Sequence, residues 1–173
     1  MQEPQAFADA PDASAFWARP VLALARIFAL AGGGLFIGLI ALSLVSIIGR
    51  KLANAPVIGD VEIMQVGTAA AAAMLLPLCT ILGEQLRVDF FTESASPAVR
   101  RLLDTVADLL LAAVFLLLAW RTGHQALDVR EAGEVTPLVS WPVWIPTAMM
   151  VPSFALTAVC ALAHLTRLWR REP

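Results

Sequence analysis

Residues 27–49, IFALAGGGLFIGLIALSLVSIIG, run from Arg26 to Arg50 without one charged side chain. As a helix these 23 residues would reach about 34 Å, slightly more than the roughly 30 Å of a bilayer's hydrocarbon core. The stretch therefore reads as a membrane-spanning helix. The whole chain of 173 residues has the same character, with 59% apolar residues and only 15% charged ones. Mean hydropathy is +0.76. A water-soluble fold of this size leaves much of its surface facing solvent and has no interior large enough for so much apolar side chain. Lipid is the solvent that fits.

Three further spans follow from the same reasoning. Residues 63–83, between Glu62 and Glu84, supply 21 uncharged positions. Residues 143–166 supply another span, with Pro137, Pro142 and Pro146 expected to keep the segment before and at its start out of regular helix. The third is harder to bound, because the apolar run 109–120 has only 12 residues and reaches about 18 Å. Extending it to 102–120 brings in Asp104 and Asp108, which then belong near the membrane boundary. Arg100, Asp104 and Asp108 recur every fourth residue, so a helix carries them on one face. That stripe is expected to face water or another protein.

Positive charge sets the direction of the spans. The two ends and the second loop hold eight basic residues near the spans, against four in the other two loops (Arg50, Lys51, Arg121 and Arg130). The bias predicts cytoplasmic termini. The fold class is thus an all-α integral membrane protein with four transmembrane helices, both termini cytoplasmic. Residues 1–13 read as a disordered tail and 14–171 as one membrane domain. Within it, residues 14–25, with Phe16, Trp17, Arg19 and Leu22, read as an interfacial lead-in helix. The first twenty residues carry Glu3, Asp9 and Asp12 ahead of any arginine, unlike a secretory signal, so the first span is expected to be retained. Trp141 and Trp144 fall at the outer mouth of the last span and Trp169 at its inner end, the depth that amphipathic rings favour.

Little in these spans carries chemistry. A net charge of −2 gives no basic surplus for nucleic acid. Cys79 and Cys160 both lie in apolar runs and make neither a disulfide framework nor a metal motif. His124 and His164 fall near opposite span ends and read as polar interface residues, not as haem or zinc ligands. Pro77 inside span two removes one backbone hydrogen bond and frees the carbonyl of Ala73. Neighbouring helices usually absorb such a proline. Gly34 and Gly38 form a GxxxG pair, and residues 69–73 are five alanines; small residues of this kind let membrane helices approach closely. No nucleophile–base set, phosphate loop, metal cluster or cofactor motif is present, so no enzyme is expected. Clean span centres and polar span ends point to a helical subunit that supports a larger partner.

The second loop gives that partner a candidate identity. Gly83-Glu84-Gln85-Leu86-Arg87-Val88-Asp89, followed by Ser96-Pro97-Ala98-Val99-Arg100-Arg101-Leu102-Leu103-Asp104, resembles the inner loop of the small membrane subunit of tripartite ATP-independent periplasmic (TRAP) transporters, the DctQ-like family. Gly59-Asp60-Val61-Glu62 resembles that family's entry to the second helix, and Thr136-Pro137-Leu138 with Pro142-Val143-Trp144 its entry to the last. The likeness covers most of residues 27–166. Gln85 stands where the family usually has histidine, and Ile81 where a basic residue often precedes the glycine.

The resemblance implies a bacterial inner-membrane subunit without a cofactor. Its partners would be a large membrane subunit that moves sodium and an organic anion, and a periplasmic solute-binding protein that delivers the anion. Candidate contacts with the large subunit are Gly34, Gly38, Glu62, Arg87, Asp89, Asp104 and Asp108. Glu62, Arg87 and Asp89 equally suit a role as anchors of helix ends in the headgroup layer. Two rival classes are a membrane anchor for a redox complex and an independent small transporter or channel.

Overall fold

The computed structural model describes residues 18–52, 57–83 and 97–170. The expected N-terminal tail, the first part of the lead-in helix, and Arg87 and Asp89 lie outside the described residues. Four helices follow one another: α1 (Ala18–Leu52), α2 (Asp60–Leu82), α3 (Pro97–Ala132) and α4 (Trp144–Arg170). All four contain stretches long and apolar enough to cross a membrane. From Ala18 onward the lead-in segment is continuous with the first span. Pro20 is tolerated there because the first turn of a helix has no backbone acceptor for its missing N–H.

Two helices run past their expected ends. α3 continues through residues 121–132 to Ala132, because that segment is rich in helix formers and has only Gly123 to weaken it. α4 takes Pro146 into its first turn, so of the three prolines expected to hold back the helix only Pro137 and Pro142 do so. Those two lie in a tight loop. Val135 pairs with Pro142 in an antiparallel bridge, Thr136 N–H donates to Trp141 O at 2.9 Å, and Val143 N–H donates to Glu134 O at 3.2 Å.

The helices form a layer in the order α1, α2, α4, α3, with α1 and α3 at its edges. α2 packs on both α1 and α4, α3 packs on α4, and α1 touches α4 only slightly. Contacts at each end show how the chain runs through this layer. Ala25 of α1 clusters with Ile81 of α2 and Cys160 of α4 at one end. Midway, Ala73, Ala119 and Phe154 cluster, with the Phe115 and Phe154 rings 6.0 Å apart. At the other end Arg50 of α1 meets Asp60 of α2, and the Arg130 guanidinium of α3 lies 5.2 Å from the Trp144 ring centre of α4. Both described chain ends therefore lie on the same side of the layer.

These ties also set a common register. α2, with 23 residues, is about 35 Å long and barely exceeds the hydrocarbon thickness, so it fixes the slab. His164 adjoins Gly83 at the end of α2 and Asp108 of α3, while Arg130 is level with Trp144. The part of α3 level with α2 is consequently about 108–130, against the expected 102–120, and the stretch Leu102–Ala132 that is long and apolar enough to span contains both. The cause is α3's partner: α4 holds it in place through Asp108 and Arg130, whatever its own apolar run prefers.

Close approach of α1 and α2 rests on Gly32 and Gly67. A Cβ at Gly67 would meet Leu39 Cδ2 at 2.8 Å, and one at Gly32 would meet Ala71 O at 2.9 Å. Among the described residues nothing lies within 4 Å of a Cβ at Gly34 or Gly38, so none of them packs on the GxxxG pair. The alanines of α2 pack inside the chain: Ala70, Ala71 and Ala73 are buried. Gly67→Leu is expected to lower the thermal midpoint of the detergent-solubilised subunit by several degrees, as overpacking costs about 1–3 kcal/mol. Gly38→Leu is expected to leave that midpoint unchanged.

Candidate functional site

The polar side chains of the layer fall into three groups. The first joins α1 to α2: the fully buried Ser46 hydroxyl donates to the Asp60 carboxylate, Arg50 approaches the same carboxylate at 3.5 Å, and Asp60 Oδ1 accepts from Val61 N–H at 2.8 Å. Two residues on, Glu62 reaches across to the loop before α4. Its carboxylate accepts from Leu138 N–H at 3.2 Å and from Val139 N–H at 3.4 Å. Glu62, at the start of α2, therefore pins the 134–143 loop over that helix. Beneath the loop lies a cavity of about 150 Å³ lined mainly by apolar groups, among them Leu35, Leu39, Ile63, Val66 and Met149.

The second group closes the opposite end. Asp108 Oδ2 and His164 Nδ1 are 2.8 Å apart, and Asp108 is only 5% exposed. This corrects two expectations. Asp108 does not face water, because it shares the face of α3 that presents Ala112, Ala119 and Ala126 to α4. His164 is not a headgroup residue, since its side chain is 13% exposed and held by that carboxylate. The imidazole also touches α2: a Cβ on Gly83 would sit 2.9 Å from His164 Nε2. Gly83 has φ 71° and closes the helix by donating its N–H to Cys79 O and Thr80 O, a left-handed conformation that favours glycine. Asp108, His164 and Gly83 thus clasp three helices at one level. Asp104 is half-buried and engaged.

The third group lies where no functional residue was expected, along the C-terminal half of α3. The face opposite the buried alanines carries Leu110 and Leu117, 60% and 55% exposed, and then turns polar with Arg121, Gln125 and Asp128, all exposed, and His124 beside them. The Trp120 and His124 rings meet edge-on at 5.5 Å. Arg121 is nine residues from Arg130, hence about 14 Å along α3 from the end where Arg130 meets Trp144 and towards the middle of the layer. Gly123, two residues away, adjoins Val151 Cγ1, seven residues into α4 and about 10 Å inside it. Helical side chains lean towards the helix N-terminus, and on α3 that direction leads deeper. An arginine at the bilayer centre costs about 2.5–3.5 kcal/mol on insertion scales. The sequence alone had placed Arg121 in a loop; the polar period 121, 125, 128 was the available signal.

Among the described residues no three His, Cys, Asp or Glu side chains gather as a metal site. Of the expected contact residues, the structure spends Glu62 and Asp108 on holding the layer together and leaves Gly34 and Gly38 open on α1.

These helices and their paired polar ends define a multi-pass membrane protein. Residues 39–171 match the family model for the DctQ component of tripartite ATP-independent periplasmic transporters. The chain belongs to that family, as the inner-loop resemblance implied. No curated protein and no solved structure matches it. The match starts at Leu39, so the first half of α1, with Gly34 and Gly38, precedes it.

The clasp generates a direct expectation. His164→Ala leaves the buried Asp108 carboxylate without its imidazole partner, and Gly83→Ala forces a side chain into a left-handed position against the same ring. Each is expected to destabilise the detergent-solubilised subunit by about 1–3 kcal/mol, read as a lowered midpoint in thermal unfolding. Cys79→Ala, at an exposed position, is expected to leave the midpoint in place.

Proposed function

We propose that this chain is the non-catalytic small membrane subunit of a sodium-coupled organic-anion importer of the TRAP class, seated in the bacterial inner membrane. The family match over residues 39–171 is the observation that carries the proposal. Its layer architecture suits the role. Polar pairs, Ser46 with Asp60 at one end and Asp108 with His164 at the other, tie one helix to another, which favours a stiff plate. A carrier that slides one domain through the bilayer needs its static part held against tilting, and a plate of four helices beside it widens that part.

The end bearing both chain termini faces the cytoplasm in this proposal, as the eight-to-four bias of basic residues favours. The 134–143 loop then faces the periplasm, where a solute-binding protein docks. Two edges of the plate are available to the large membrane subunit: α1, with Gly34 and Gly38, and α3. The expected contacts Arg87 and Asp89 lie in the loop on the cytoplasmic side. Contact with the large subunit is proposed for them, and substitutions there that abolish copurification would support it.

The test is reconstitution. Sodium-dependent uptake of the organic anion into proteoliposomes is expected from the large subunit, the binding protein and this chain together. Uptake is expected to fall at least about tenfold when this chain is left out. Uptake at full rate without it, or solute flux through this chain alone, contradicts the proposal.

A further inference from the structure

The plate has two free edges, and they differ in what lipid costs them. On α1 the outward face is apolar throughout its span, with Ile27, Leu30, Ile37, Ile40 and Ile48 all more than half exposed. Lipid chains cover such a face without penalty, and the open Gly34 and Gly38 leave no polar group wanting a partner. On α3 the outward face is apolar only as far as Trp120. Beyond it Arg121, Gln125 and Asp128 are exposed while level with the membrane-embedded part of α4. Among the described residues no side-chain hydrogen bond or ion pair engages these three. An arginine close to mid-bilayer, pointing away from its own chain, requires a carboxylate or polar surface from elsewhere.

We propose that the large membrane subunit docks on the outward face of α3, not on α1, and sets an acidic side chain of one of its own transmembrane segments against Arg121 near mid-bilayer. This rests on the accessory-subunit reading. Charge complementarity chooses the occupant. A second copy of this chain on a two-fold axis would bring Arg121 towards like charge unless staggered, whereas lipid offers no anion at that depth. Leu110 and Leu117, continuous with the polar stripe, complete the contact with apolar packing. Asp128 and Gln125, nearer the outer boundary, add polar pairs that fix the register.

Photo-crosslinking in the assembled complex tests the placement. The full chain, carrying benzoylphenylalanine at Leu117, Gln125 or Ile37, is coexpressed with the large subunit and irradiated in membranes. Adducts at the summed mass are expected from Leu117 and Gln125 and not from Ile37. Adducts from Ile37 with none from the α3 positions overturn the placement while leaving the accessory role intact. If the unmodified chain does not copurify with the large subunit at all, the accessory reading itself fails, and the placement with it. A paired measurement isolates Arg121. Arg121→Leu is expected to leave the thermal midpoint of the isolated subunit unchanged, since this chain gives the guanidinium no partner, yet to weaken copurification of the large subunit by about tenfold or more. An Arg121→Leu complex as tight as the wild type overturns the proposed ion pair.

Discussion

Hydrocarbon offers no hydrogen-bond partner, and this fact governs the polar side chains that join the helices at the two ends of the layer. Helices satisfy their own backbones, so the remaining problem is the side chains. At one end of the plate Asp60 collects Ser46 and Arg50, and Glu62 collects the backbone of the loop before α4. At the other, Asp108 collects His164. In these groups a carboxylate from one helix is satisfied by a different segment, so neutralising the charge and positioning the helices are the same event. With the ends pinned, the apolar middles need only fit. They do so through small residues, Gly32 and Gly67 between α1 and α2, and the Ala73, Ala119 and Phe154 cluster further along the layer.

The same pinning explains the position of α3. Left to its own sequence, this helix would centre its apolar run in the slab, with Asp104 and Asp108 at the inner boundary and Arg121 at the outer. Held by Asp108 to His164 and by Arg130 to Trp144, the part level with its neighbours is centred about eight residues further along the helix, which brings Arg121 towards the middle of the layer. On the proposed reading, a partner subunit supplies what this face of α3 lacks.

Much of the plan was legible in the sequence. Charge-free intervals gave four spans, because a charge inside lipid is costly enough to leave a gap in the pattern. The inner-loop motif gave the family. Other features were hidden for physical reasons. The Asp108–His164 pair joins positions 56 residues apart, and Glu62 meets Leu138 across 76; nothing local in either segment announces its partner. The order of helices in the layer depends on which faces pack, and spans that are apolar on nearly every side do not reveal it. For α3, hydropathy weighs the helix in isolation and does not show which of its residues lie level with α2 and α4. The glycine pair of α1 reads in the sequence as a packing surface, and among the described residues the close approach to α2 uses Gly32, two residues before Gly34.

The register of α3 is the claim on which the reading of Arg121 and of the free edges depends, and depth can be measured directly. Nitroxide labels placed singly at Leu103, Leu110, Leu117 and Gln125, in a variant with Cys79 and Cys160 replaced, report depth in liposomes through the ratio of oxygen to nickel-chelate relaxation. The span 108–130 predicts the deepest signal at Leu117, with Leu103 outside the hydrocarbon. A maximum at Leu110, with Gln125 in the aqueous phase, would return the helix to 102–120 and contradict the account.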